Sequence, residues 1–432
     1  MDNFLDRYFK LSQNGTNVRR EMLAGLTTFL AMAYITVVNP GILSAAGMDF
    51  GAVFVATCLA AAIGTGVMGL YANYPVAQAP GMGQNAFFTF GIVLGLGHSW
   101  QSALGAVFIS GLIFIVLSVL PVREWLINAI PRSLKLGISA GIGFFLGIIA
   151  LSGSGVIVAD DATLVSLGDL TAPPAVLMLL GFVLIAALSA RRNVAAVVIG
   201  MLAVTLVGWA TGTAEFKGVV STPPSMSTLL ELDIKSALNL SMVTVILTLL
   251  LVDVFDTAGT LVGVANRANM LDENGHLPRL RRALLADSSA TAVGALLGTS
   301  STTSYIESAA GVEAGGRTGL TALTTAVLFL LCLFLAPLAQ SIPGFATGAA
   351  LLFVATIMAR ALEDLDWADV AESAPAVVTA IAVPLSYSIA DGIGLGFISY
   401  ALVKVASGRV RECPLAVYVV AVIFVLKFAF LS

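Results

Sequence analysis

From Met22 to Leu431 the chain is an almost unbroken series of apolar runs separated by short charged clusters. Runs of about 20 apolar residues match the hydrocarbon thickness of a bilayer. A soluble fold cannot absorb so many of them. Only 11% of the residues are charged and 58% are hydrophobic, whereas soluble domains carry roughly 25% charged residues. In lipid each backbone N–H and C=O must find a partner within the protein, which restricts spanning structure to helices and closed barrels. Runs of this length predict an all-α polytopic membrane protein.

The apolar segments fall, with soft edges, at about 22–38, 50–70, 76–97, 100–120, 134–152, 174–190, 194–212, 238–261, 284–298, 300–314, 318–340, 344–360, 372–389, 391–406 and 414–431. Flanking charge orients them. Arg7, Lys10, Arg19 and Arg20 precede the first, and Arg123, Arg132 and Lys135 follow the fourth. Arg191 and Arg192 follow the sixth, while Arg267, Arg279, Arg281 and Arg282 follow the eighth. Arg317 follows the tenth, and Lys404, Arg409 and Arg411 the fourteenth. All these clusters share one face if the N-terminus is cytoplasmic. The loop 159–173, with Asp160, Asp161 and Asp169, lies on the other. The alternation holds for fourteen transmembrane segments. The final run is open between a fifteenth element, a helix on the cytoplasmic face, and the true last span if 391–406 is a half-helix. Residues 1–21 lack the apolar core of a signal peptide and read as a retained cytoplasmic tail. The expected location is the bacterial inner (plasma) membrane.

Several classes are excluded. A net charge of −4 with scattered basic clusters offers no continuous basic face for nucleic acid. Cys58, Cys332 and Cys413 have no paired spacing, and His98 and His276 are the only histidines, so no metal site or cofactor is expected. An enzyme would need a nucleophile–base or metal constellation that these residues do not supply. The Gly81-Met82-Gly83 stretch lacks the soluble βαβ surroundings of a dinucleotide fingerprint. His276 reads as a solvated loop residue, and Glu363, Asp364, Asp366 and Asp369 as a cytoplasmic linker.

Two segments carry breaks. Segment three opens with NYPVAQAPGMGQNAFF and segment ten with GTSSTTSYIESAAGVEAGG. Each is a Gly-, Pro-, Ser- or Thr-rich extended piece running into a polar residue (Asn85, Glu307) and then a short helix. Ala77–Gly83 and Ser300–Tyr305 predict short strands that meet near the midplane and feed half-helices. Segments five and twelve also share their opening, IPRS and IPGF. Two sets of seven spans begin on opposite sides, so the repeat is inverted (7+7), and paired broken segments in such a repeat mark a binding site. Asp253 and Asp256 in segment eight and Glu307 in segment ten are intramembrane carboxylates. At roughly 2.5–3.5 kcal/mol or more apiece, such groups face a cavity and mark an ion or substrate path. Two acidic acceptors without a fixed cation suit a neutral, flat ligand rich in N–H donors, such as a purine base, with the Asn85 amide able to donate and accept. Aromatic faces at Tyr34, Phe87 or Phe88 could stack on such a ring, although packing is the commoner role. A carboxyl group in a dry pocket favours its protonated form, so proton symport through Asp256, Glu307 or Asp253 is the expected coupling.

The stretches NPGIL, ANYPVAQAPGMGQNAFFTF, DVFDTAGTL, ALLADSSATAVGALLGTSSTTSYIESAAGVEAGGRTGLTA and SYSIADGIGLGFISY resemble the AzgA-like purine permeases of the nucleobase/ascorbate transporter superfamily. The resemblance runs nearly end to end. It implies a core domain formed by 22–120 (spans 1–4) and 213–340 (spans 8–11), after the 1–21 tail. It also implies a gate domain formed by 121–212 (spans 5–7) and 341–432 (spans 12–14 and the C-terminal helix), often in a homodimer. The implied activity is import of purine nucleobases, guanine and hypoxanthine before adenine, by elevator-like alternating access. Carried over by position, Asp256 and Glu307 are base-binding acids, Asn85 a third polar contact and Tyr305 a supporting residue. Gly83, Thr257 and Ser308 are neighbouring contacts. Thr260 stands where related uracil permeases have a histidine, and Gln84 where many relatives are apolar. The alternative from another class is an anion exchanger or channel on the same inverted fold.

Overall fold

The protein is described by a computed structural model that covers residues 2–120, 130–268, 270 and 277–430. Arg123 and His276 lie outside the described residues. Among the described residues, nine helices are long and apolar enough to cross a membrane. The polar residues at their starts explain where they begin. Asn17 accepts from the Arg20 N–H, so the first helix, Val18–Met32, starts four residues before the apolar run itself. Asp49, Ser99, Thr318, Asp369 and Ser388 cap Phe50–Val67, Trp100–Val119, Gly319–Cys332, Val370–Leu385 and Ile389–Ala406 in the same way. Leu280–Leu297 stops at Gly298, whose φ of +94° is costly for any residue with a Cβ.

Four short strands follow in chain order: β1 (Gln78–Pro80), β2 (Ile157–Asp160), β3 (Leu164–Leu167) and β4 (Thr302–Ser304). β2 and β3 form a hairpin at the start of the acidic loop. β1 and β4 pair antiparallel in the register Gln78–Ser304, Ala79–Thr303 and Pro80–Thr302. The ladder continues through Gly81 N–H to Ser301 O (2.9 Å) and Tyr305 N–H to Ala77 O (2.9 Å). β1 leads into Met82–Ala86, prolonged by the π-helical Phe87–Gly95, and β4 into Ser308–Glu313. Both breaks predicted from sequence are therefore present, and each strand satisfies the other's backbone groups at membrane depth.

The helices pack in two groups. In one, Val18–Met32, Phe50–Val67 and Trp100–Val119 lie against Val243–Arg267, Leu280–Leu297, Ser308–Glu313 and Gly319–Cys332. In the other, Arg132–Gly153 lies against Gly344–Ala359 and Val370–Leu385, joined by Pro173–Ala190, Ala196–Ala210 and Ile389–Ala406. Within the first group, buried Glu21 accepts hydrogen bonds from Arg317 N (2.9 Å), Thr318 N and Oγ1 (3.2 and 2.9 Å) and Thr321 N and Oγ1 (3.2 and 2.6 Å). One carboxylate thus shares the free N–H groups around the start of Gly319–Cys332 with Asn73 Oδ1, which takes Gly319 N, and Thr318 Oγ1, which takes Leu320 N.

The end of the chain is a helical pair. Ile389–Ala406 is a full helix, and Leu415–Phe430 folds back along it. An ion pair ties each end: Lys404 with Glu412 (3.0 Å) at one, Asp391 with Lys427 at the other. Ile389–Ala406 is thus a full helix rather than a half-helix, with the last helix packed antiparallel against it.

Candidate functional site

Val243–Arg267 presents two polar faces. Asp253 and Thr257, four apart, are fully buried, whereas Asp256, Gly259 and Asn266 are exposed and Gly263 half-buried. This second stripe, spaced three, seven and ten residues from Asp256, runs straight down one side of the helix. The neighbouring Tyr305–Glu313 stretch also has an open side, formed by Ile306, half-buried Glu307 and Ala310, and exposed Glu313. The two sides meet. A Cβ on Gly263 would lie 3.4 Å from Ile306 Cδ1, and Arg267 Nη1 is 2.9 Å from Glu313 Oε1. They form an open groove with Asp256 and Glu307 toward one end and the Arg267–Glu313 ion pair at the other. Asp256 and Glu307 stand on the two sides that face each other here. Glu307 also accepts from Tyr34 Oη at 2.7 Å. Tyr34 therefore supports an acid through its hydroxyl.

Beneath the groove lies a closed polar layer. Asp287, on Leu280–Leu297, accepts from Gln78 Nε2 (3.0 Å), Ser304 Oγ (2.7 Å) and Thr257 Oγ1 (2.6 Å). Asp253 accepts from Thr291 Oγ1 (2.8 Å) and Gln84 Nε2 (3.2 Å). Thr257 and Thr303 hydroxyls are 2.8 Å apart. The layer joins both strands, a half-helix and two long helices. Its buried acids are multiply hydrogen-bonded, as polar groups at this depth require. Asp287 is the acid that the sequence reading passed over. An acid within an apolar run, in ALLADSSATA, was the available signal, and it is the same signal that singled out Asp253.

The predicted site residues occupy different places. Asp256 and Glu307 flank the open groove. Asn85 is buried, accepts from Ser300 Oγ and has its amide nitrogen 3.5 Å from Pro80 O. Tyr305 donates its hydroxyl to Pro80 O at 2.6 Å, and Ser308 Oγ accepts from Ala77 N at 2.9 Å. Both brace the strand pair. Gly83 faces the second helix group: a Cβ there would sit 2.4 Å from Ile142 Cγ2. Gln84 keeps its Oε1 buried and without a partner. Among the described residues no cluster of His, Cys, Asp and Glu has metal-binding geometry.

Comparison with known proteins is consistent with this architecture. Residues 19–395 match the Permease family of nucleobase and related transporters. The chain is 48% identical to the adenine permease AdeP of Escherichia coli (strain K12), covering 99% of this chain and 96% of that protein. It is 45% identical to the guanine/hypoxanthine permease PbuG of Bacillus subtilis (strain 168), covering 98% and 99%. Among solved structures, the transmembrane domain of the cyanobacterial bicarbonate transporter BicA superposes with a TM-score of 0.67 at 16% identity, covering 86% of this chain and 96% of that one. At that identity the likeness speaks for the inverted-repeat fold alone. With its spanning helices, its paired broken segments and full-length relatives of this kind, the chain belongs to the nucleobase/ascorbate transporter family and is a multi-pass membrane permease, not an enzyme.

Proposed function

We propose that this permease imports purine nucleobases across the bacterial plasma membrane, with its N-terminus in the cytoplasm, by proton symport. The observation that carries the reading is that Asp256 and Glu307 lie on facing open sides of two helices, beside the two half-helices. Relatives named as adenine and guanine/hypoxanthine permeases support the cargo class. Each acid accepts N–H bonds from one edge of the base, and Tyr34 fixes the orientation of Glu307. Asn85, Tyr305, Thr257 and Ser308 shape the site from behind by holding β1, β4 and the polar layer in place. A proton carried by Asp256, Glu307 or Asp253 neutralises the site for the crossing. The first helix group, 22–120 with 213–340, is the core that holds the base. The second, 121–212 with 341–432, is the gate against which it moves, and Gly83 lies on that sliding contact.

The test is uptake of radiolabelled guanine, hypoxanthine, adenine and uracil into proteoliposomes, with and without an inward proton gradient. Gradient-driven purine accumulation without competition from bicarbonate or sulfate is expected. Accumulation of none of the bases overturns the proposal. Asp256→Asn is expected to lose most uptake while staying monodisperse. Glu307→Gln is expected to weaken purine binding by about 1.5–3 kcal/mol, the worth of a hydrogen bond to a charged group. Normal uptake by the first, or unchanged affinity in the second, removes that residue from the site.

A further inference from the structure

A second cavity lies where the N-terminal helix Asp2–Phe9 folds over the starts of Val18–Met32 and Gly319–Cys332. Phe9 and Leu11 are buried beside Leu320, and the Tyr8 hydroxyl donates to Leu70 O at 3.0 Å, so the short helix is fastened to the bundle. Between them opens a space of about 890 Å³, within the roughly 300–1,000 Å³ of ligand pockets. Its lining divides by chemistry along the helix. Asp6, Thr16 and Arg19 stand at the polar end, and Met22, Leu23 and Leu26 continue from it. Those three apolar side chains are exposed on a membrane-spanning helix and so meet lipid.

The polar end carries one charge of each sign. Arg19 makes no ion pair among the described residues. The Asp6 carboxylate accepts from Ser12 N (2.7 Å) and Oγ (2.8 Å), and these bonds, the backbone one first, hold its carboxyl below the usual aspartate range. Asp6 therefore stays ionised at neutral pH and makes no ion pair with Arg19. Thr16 Oγ1 is buried with no hydrogen-bond partner. An anionic headgroup suits Arg19 but meets repulsion from Asp6. A headgroup with phosphate and ammonium suits both.

We propose that this groove binds a phospholipid with a primary-ammonium headgroup. Its phosphate sits on the Arg19 guanidinium, a pairing that allows two parallel hydrogen bonds. Its ammonium donates to Asp6, and an acyl chain lies along Met22, Leu23 and Leu26. A quaternary ammonium has no N–H to donate and is discriminated against at Asp6.

The test is native mass spectrometry of the full chain, delipidated in detergent and offered equal amounts of dioleoyl phosphatidylethanolamine, phosphatidylcholine and phosphatidylglycerol. Preferential retention of phosphatidylethanolamine is expected. Asp6→Asn should bring the ethanolamine-to-choline ratio down to about one, and Arg19→Gln should reduce retention of all three. Ser12→Ala keeps the Asp6 charge and should keep the preference, which separates loss of charge from local unfolding. Equal retention of all three lipids by the unaltered chain, a preference for phosphatidylglycerol, or an unchanged ratio in Asp6→Asn overturns the proposal. Nucleobase uptake by these variants is a separate readout, so failure here leaves the transport proposal standing.

Discussion

Gly83→Ala tests whether the two helix groups meet as the structure places them. The added Cβ would lie 2.4 Å from Ile142 Cγ2, and Ile142 is 3% exposed. Carbon atoms sit comfortably at roughly 3.5–4.0 Å, so Ile142 or the half-helix has to retreat by more than about 1 Å. Inserting a methyl group into packed structure costs about 1–3 kcal/mol. If the contact exists only in this conformation, that cost falls on this conformation alone. Its population relative to the alternative then drops about 5- to 150-fold, at 1.4 kcal/mol per factor of ten. Uptake should slow, and accessibility of a reporter cysteine in the Asp256–Arg267 groove should fall. Ile142→Ala removes the opposing Cγ2, so the double variant should recover most of the lost rate, giving a positive coupling in the double-mutant cycle. Were Gly83 instead a direct contact of the base, Ile142→Ala would bring no recovery. Undiminished uptake in Gly83→Ala, or a double variant no better than the single, refutes the reasoning.

Other perturbations follow from the geometry. Tyr34→Phe removes the donor at Glu307 Oε1 and should weaken purine binding by no more than about 1.5–3 kcal/mol; calorimetry that finds no change would show that Glu307 needs no orienting partner. Glu21→Ala leaves Arg317 N, Thr318 N and Thr318 Oγ1 without their acceptor, while Thr321 keeps Thr318 O and the Glu21 backbone O. At about 1–3 kcal/mol for each donor left buried and unpaired, a large fall in melting temperature or loss of expression is expected, and an unchanged melt in detergent argues against this role. At the chain's second charged cluster, Arg409 hydrogen bonds hold the Asp369 and Glu412 carboxyls below their usual range. Their contribution is therefore complete above the ordinary carboxylate values, about 3.9 and 4.3, and is lost as pH falls through the depressed folded ones. Arg409→Gln should flatten the acid limb of a stability–pH curve, and an identical limb in both proteins would contradict it.

Much of this architecture could be read from residues alone, because lipid leaves so few options for a backbone. The apolar runs predicted the helices. The Gly-, Pro- and Ser-rich openings of NYPVAQAPGMG and GTSSTTSY predicted the strands, because their pairing in the two halves favours broken segments over small residues that merely allow tight helix packing. The carboxylates were harder to rank. Their spacing of three puts Asp253 and Asp256 on one helical face by periodicity, but the structure corrects this: Asp253 turns inward and Asp256 toward open space. Which way each points depends on Leu280–Leu297, whose Thr291 meets Asp253 and whose Asp287 takes Thr257. Asn85 and Ser308 are buried for a similar reason: their partners, Ser300 and Ala77, belong to the opposite half of the chain. The last helix was ambiguous because the two ion pairs that fix its direction join residues 8 and 36 positions apart. No local pattern shows that pairing.

The pairing of β1 with β4 also sets a clock for biogenesis. Gln78 reaches the membrane while its neighbour in the sheet, Ser304, is still 226 residues from being made. At about 5–20 residues per second, that gap lasts roughly 11–45 s. Throughout it, three residues of extended backbone sit among inserted helices with their peptide groups unmatched. The nascent first half is thus obliged to wait, shielded by water, the insertion machinery or a temporary partner, for a strand that only the second half can deliver. A chain released between residues 80 and 302 would have spanning helices but an open seam where the proposed site belongs, which makes the strand pair a built-in mark of completion.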